Sequence, residues 1–488
     1  MDKIPQRAED MASSTETIRT GDSTVEKPLQ SDVRRLGKGG GIALGGRLGG
    51  RALLVANQVI LARALGPAEF GLFALGWTII QMGSMILPLG LHQGIIRYGS
   101  QYWRVDNRRF RAVIQWSLGL ASVLALSGAL ILFLASPWLA FEVFRKPDLV
   151  GVFRSFAPAL ALATILQVAA AGTRISQRMQ FSALAGDIMP SAIRLVCVLL
   201  LVVLLHQGLK GAVFSAIAGF AIGMALAVFS LWKLFRQEFC SLLPVQAQTR
   251  LSIKELLAFS LSASLASTFV MLTIRVDRLL VGYFLPASEV GIYQAASQAA
   301  MLSAMIMGAF NAIFSPMSAR LYHQGEIGRL NELYKVSTKW GLYISLPYFL
   351  VLLVAPRGVM AVMFGRPYVS GASPMLVMAG AQLFNAATGA VGILLIMSEY
   401  SRRRLMQAIV AFVINMLMCT LLIPPFGLLG AAWAVLVSVV VLFGWGLLDV
   451  RHQLGLWPYD ERYGKGILAT LAVLIILLVL KRLFSVFP

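Results

Sequence analysis

A handful of charged groups in this chain sit where water is scarce. Arg47 and Arg51 lie in the apolar stretch GGGIALGGRLGGRALLVANQVILAR (39–63), and Arg194 lies in PSAIRLVCVLLL (190–201). Arg275, Asp277 and Arg278 share TIRVDRLLVG (273–282). A charge at the bilayer centre costs at least ~2.5 kcal/mol, so an intramembrane ionisable residue marks a functional site by default. Buried cations need a counter-charge or water. Asp187, seven residues before Arg194 on the same helical face, is the one clear intramembrane carboxylate in the first half of the chain. At 3.6 residues per turn Arg47 and Arg51 share a face. The planar guanidinium fork makes bidentate, charge-assisted bonds to phosphate oxygens. Arg47, Arg51, Arg194 and Arg275 form the candidate anion-binding set, and Asp277 is the candidate for a coupling proton or sodium ion. The competing readings are structural: the arginines fix packing, pair with carbonyls or snorkel, and Arg275 and Arg278 neutralise Asp277. Arg63 and Arg154 stand near span ends, where snorkelling suffices.

The elements that position these groups are membrane helices. The chain has 488 residues, 58% hydrophobic and 13% charged, with a mean hydropathy of +0.76. Soluble domains carry about 25% charged residues. The net charge of +20 is spread over short clusters between apolar runs rather than gathered in one patch, which argues for topology and contact with membrane lipids, and against nucleic acid. Cys197, Cys240 and Cys419 have no pairing or metal-ligand spacing, and the four histidines form no ligand motif. No metal or organic cofactor is expected. Gly41, Gly45 and Gly49 have the small-xxx-small spacing of close helix packing. No phosphate-loop motif accompanies them.

About thirteen apolar segments of spanning length run between residues 39 and 486, the last over 466–486. All must be helices, because backbone groups in lipid have to be satisfied within the segment. Alternate loops hold about 21 Lys and Arg against about 7 on the other side, which places the N-terminus in the cytoplasm. The expected division is a disordered polar tail over 1–37, with no apolar signal-peptide core, then a six-helix lobe over 38–236. A cytoplasmic linker follows over 237–254, then a second six-helix lobe over 255–450, and a linker with one more helix over 451–488.

The chain repeats itself. GPAEFGLF (66–73) is echoed by LPASEVGIY (285–293), VFRKP (143–147) by MFGRP (363–367), and GLKGA (208–212) by GLLGA (427–431). The offset is about 220 residues each time and the order is kept, so Glu69 answers to Glu289, Gly71 to Gly291 and Phe144 to Phe364. Six helices is an even number, so both copies enter the membrane in the same sense, related by an axis along its normal. The fold class is therefore all-α integral membrane: two six-helix lobes in a parallel repeat, plus one C-terminal helix.

The segments LARALGPAEFGLFALGWTI (61–79), GIIRYGSQY (94–102) and RVDRLLVGYFLPASEVGIYQAA (275–296) resemble the Wzx-type oligosaccharide flippases of the MOP superfamily. The likeness extends over about 400 residues through span order and lobe duplication. It implies two lobes opening alternately to each side of a bacterial inner membrane. It also implies a sugar chain on polyprenyl pyrophosphate as cargo, whose diphosphate would supply the missing negative charge. The implied partners are a polysaccharide polymerase and chain-length machinery. The related lipid II flippases have a comparable first helix. Arg51 and Arg63 match two of its arginines, but the position between them is Asn57 here, which departs from the lipid II pattern. Two rivals stand beside this reading. A multidrug exporter of the same superfamily would need acidic groups, which the first span lacks. A glycan polymerase, ligase or glycosyltransferase would need catalytic carboxylates on a large outer loop, and no DxD motif or long loop is present. The chain is thus expected not to be an enzyme.

Overall fold

The computed structural model describes residues 26–176, 178–240, 253–398, 400–460 and 463–464, with side chains from residue 49 on apart from a few positions, most of them in 303–316. Every regular element among them is helical. The first lobe comprises α1 (Glu26–Ile86), α2 (Leu91–Tyr102), α3 (Asn107–Trp138), α4 (Leu149–Thr173), α5 (Met189–Cys197) and α6 (Gly208–Leu234). The second comprises α7 (Ile253–Phe284), α8 (Ala287–His323), α9 (Ile327–Val354), α10 (Ala372–Thr388), α11 (Val391–Met397) and α12 (Ser401–Leu454). Of the expected polar tail, 1–25 lies outside the described residues, while helix already runs from Glu26. The thirteenth segment (466–486) and most of the interlobe linker also lie outside them.

Length alone divides two of these helices. A straight run of 61 residues would extend about 90 Å, three times the hydrocarbon core. α1 is interrupted at Gly66 (φ 71, ψ 173), directly before Pro67, and α12 at Gly427 (φ 56, ψ −133), just after Pro424 and Pro425. Among the described residues eight helical segments are long and apolar enough to cross a membrane, or nine with the pair Arg366–Thr388 and Val391–Met397, bent by 46°. Two of the eight, Gly49–Tyr102 and Arg402–Leu454, contain these breaks and are long enough for two crossings each. The count of about thirteen rests in part on residues outside the described set.

The backbone repeats as the sequence does. Gly208 and Gly427, which open the third echo, take φ of 54° and 56°. Arg145 and Gly365, equivalent in the second echo, both have positive φ, 52° and 102°. In the first echo the equivalent glycines meet. A methyl on Gly71 would land on the Ala287 carbonyl and one on Gly291 on the Pro67 carbonyl, so α1 and α8 touch backbone to backbone across the lobe boundary.

The connections at 103–106 and 174–176, which carry Arg104 and Arg174, mark one end of the helices, the basic face; the turns at 144–148, 206–208 and 364–366 mark the other end, the far face. Near the far face one hydrophobic core joins the lobes, with Phe70, Phe73 and Phe156 from the first packed with Tyr293, Phe364 and Tyr368 from the second. Two carbonyls 220 residues apart are captured there from the opposite lobe: Tyr368 Oη donates to Ala62 O at 2.6 Å, and Lys146 Nζ donates to Gly282 O. Arg63 donates to the carbonyls of Val362 and Met363. Toward the basic face the core splits. One part belongs to the first lobe with Leu256 of α7, and another, around Phe314, Tyr334 and Leu447, lies wholly in the second. A seam of α2 on α7 joins the lobes here, with the Arg97 guanidinium 4.1 Å from the centre of the Phe259 ring.

Candidate functional site

Where the shared core ends, a cavity of about 360 Å³ opens between α1, α4, α5, α6 and α7. Arg51, Arg174, Arg194 and Arg275 line it, with Asp187 as the one carboxylate. The sequence-predicted Arg51, Arg194 and Arg275 thus come together. Arg47 belongs to α1, but its side chain lies outside the described residues.

Each arginine is placed by a different device. Arg194 sits in a short α-helical stretch between two π-helical turns, Leu184–Ile188 and Val198–Leu204. Such turns shift the side chains that follow and recur at functional sites. Gly219 and Gly223 of α6 let that helix close onto Pro190, four residues before Arg194. The guanidinium is 4% exposed and lies 4.3 Å from the Trp77 ring centre and 5.2 Å from that of Phe220, the two rings being stacked. Its Nε has no hydrogen-bond partner among the described residues. Arg51 reaches across toward α8, where a side chain on Gly308 would collide with its Nη1. Arg275 comes from the second lobe and donates through Nη1 to Gln81 Oε1 on α1. Among the described residues no salt bridge reaches Arg51, Arg194 or Arg275.

Asp277 lies elsewhere. Positions two apart on a helix point about 200° apart, so Arg275 faces the first lobe and Asp277 the interior of the second. There it lines a cavity of about 80 Å³ with Thr273, Arg278, Ser297, Gln382 and Asn385. It is 2% exposed; Oδ2 accepts from Tyr293 Oη at 2.7 Å, and Oδ1 has no side-chain partner among the described residues. Arg278 donates to Ser297 Oγ at 2.8 Å and forms no salt bridge with Asp277. In the other lobe, 220 residues earlier, Asn57 stands where Asp277 does and Phe73 where Tyr293 does. The carboxylate is a specialisation of the second lobe. Of the arginines read as structural, Arg63 bonds carbonyls and Arg154 donates to Ser136 at 3.2 Å.

Sequence reasoning missed Trp77, Gln81 and Phe220. Gln81 carried a signal, being an amide inside the apolar run LGWTIIQMGS, four residues after Trp77 and so on its face.

Two lobes in parallel repeat around a central basic cavity are the fold this chain shares with solved transporters of the MOP superfamily. An inward-facing multidrug resistance MATE transporter of that superfamily superposes with a TM-score of 0.69 at 16% identity, covering 83% of this chain and 94% of its own. The lipid II flippase MurJ, in an inward closed conformation, gives 0.67 at 15% identity over 88% and 90%. A MOP superfamily transporter from Pyrococcus furiosus, described as having a binding pocket of reverse polarity, gives 0.62 at 15% over 86% and 96%. Residues 60–373 match the model of a family described as polysaccharide biosynthesis protein, and the chain belongs to that family. A probable low-salt glycan biosynthesis flippase of Haloferax volcanii, Agl15, is 21% identical over 401 residues, 80% of this chain and 78% of its own length.

Proposed function

We propose that this protein is a flippase that carries an oligosaccharide on polyprenyl pyrophosphate from the cytoplasmic to the periplasmic leaflet of a bacterial inner membrane, for O-antigen, capsule or exopolysaccharide synthesis. The observation that carries this reading is a cavity holding four guanidinium groups and one carboxylate, in which Arg51, Arg194 and Arg275 have no ion-pair partner among the described residues. A diphosphate is the multivalent anion whose oxygens such forks bind in pairs. About 360 Å³ is a small-ligand volume, so the cavity takes the diphosphate and the adjoining sugar while the rest of the glycan lies outside it. The prenyl tail stays in lipid. The family membership and the glycan flippase among the relatives support the cargo class. No bond is made or broken: the lobes rock about the far-face contact, and the head group passes to the polymerase and chain-length machinery. Asp277 is the coupling group, taking a proton or sodium ion in the second lobe. The excess of basic loops supports a cytoplasmic N-terminus.

The fold alone also accommodates a drug exporter, but a cationic drug would meet like charge in this cavity. The test replaces Arg51 and Arg194 by Ala. Surface glycan export is expected to fall at least tenfold for each while the protein still inserts; full export by both variants removes the proposal.

A further inference from the structure

The hydrogen bond from Arg275 to Gln81 crosses the lobe boundary inside the cavity. A guanidinium carries five donors, and the neutral Gln81 amide is the one acceptor Arg275 has among the described residues. Two residues further along α7, Asp277 is tied to α8 through Tyr293, and Arg278 through Ser297. α7 thus faces the cargo cavity with Met271 and Arg275 and is anchored in its own lobe by Asp277 and Arg278. The duplication shows that the fold does not impose the contact. The equivalent pair, 220 residues earlier for Arg275 and later for Gln81, is Val55 and Met301, which cannot form it.

We infer that Gln81 is a placeholder acceptor: it holds Arg275 in the empty cavity and gives it up to the phosphate oxygens of the cargo. A guanidinium–phosphate contact pairs opposite charges and can be bidentate, whereas the Gln81 amide offers one neutral oxygen, so a diphosphate displaces the amide. The link between lobes then runs through cargo rather than through Gln81, and occupancy of the cavity is felt by α7 and hence by Asp277. This deepens the flippase reading and rests on it for the nature of the anion. Gln81 is a positioning residue, since it acts through Arg275.

The experiment titrates the full-length protein in nanodiscs with inorganic pyrophosphate. Gln81→Glu turns the placeholder into a permanent counter-ion. Affinity is expected to fall about tenfold or more at neutral pH and to recover as pH drops toward the carboxyl range near 4.3. In an Arg275→Gln background the same change has little further effect, because the group it captures is gone. If Gln81→Glu weakens binding equally in both backgrounds, it acts merely as added negative charge and the placeholder role is overturned. Gln81→Leu separates this from the cargo reading. Spin labels at Val105 and Ile327, one in each lobe, report the interlobe distance in cargo-free protein, which Gln81→Leu is expected to broaden. A folded wild type that binds no pyrophosphate refutes the diphosphate reading. An unchanged distance distribution in Gln81→Leu refutes the clasp, whichever way the titration falls.

Discussion

Arg194 illustrates how a buried cation can be kept available. The faces of Trp77 and Phe220 steady its guanidinium by about 0.5–2 kcal/mol each, well short of the hydration it gives up, and no salt bridge reaches it among the described residues. An arriving anion therefore finds it oriented but unneutralised. Asp277 is the opposite case, a lone carboxylate held by one hydroxyl. Asp277→Asn keeps the shape and the acceptor for Tyr293 but removes the ionisable group. Binding of pyrophosphate is expected to stay within about threefold of wild type, less than the 1.4 kcal/mol of a tenfold change. Flipping in vesicles is expected to stop responding to an imposed pH or sodium gradient. A variant that still follows either gradient shows that Asp277 is not the coupling group. At this scale the sequence told which residues were charged at depth, and the helical period already separates Arg275 from Asp277. It could not tell which cavity each would meet, because that depends on how the lobes dock.

The duplicated glycines settle that docking at the scale of helices. Gly71 and Gly291 let α1 and α8 approach until backbone meets backbone, near the axis that relates the lobes. Gly71→Ala would push a methyl into the Ala287 carbonyl, a rigid neighbour, and overpacking of this kind costs about 1–3 kcal/mol. The expected outcome is a lower unfolding midpoint in detergent and weaker far-face closure. Gly119→Ala is the control: it meets nothing within 4 Å, and replacing a helical glycine there is neutral or slightly stabilising. Equal effects of the two substitutions would remove the close-contact role. The echoes GPAEFG and LPASEVG were legible as a repeat, and the equal φ values at Gly208 and Gly427 follow from it. The π-helical turns around Arg194 were not legible, since VLLLVVL reads as ordinary apolar helix.

For the whole molecule, the shared core near the far face and the divided core toward the basic face make the lobes a hinge of uneven strength. Closure of the far face rests on apolar packing plus polar capture of carbonyls by Tyr368, Lys146 and Arg63. Each such bond contributes about 0.5–1.5 kcal/mol net, so removing Tyr368 Oη and the Lys146 ammonium together shifts the opening equilibrium by roughly 5- to 140-fold. Lys146 also makes closure sensitive to pH. It is half-buried in the latch, and burial lowers its pKa from the ordinary 10.5. Between the lowered and the ordinary value the closed state binds fewer protons than an open one, so raising pH through that window favours closure. The measurement is labelling of a cysteine at Leu65, in the far-face core, in protein whose native cysteines are replaced by serine. After correction for thiolate fraction, labelling is expected to slow as pH rises through the alkaline window. In Tyr368→Phe with Lys146→Met it is expected to be several-fold faster at every pH and to lose that pH dependence. Labelling unchanged in the double variant would mean that the apolar core alone shuts the far face, and the polar latch would then have no part in the transport cycle.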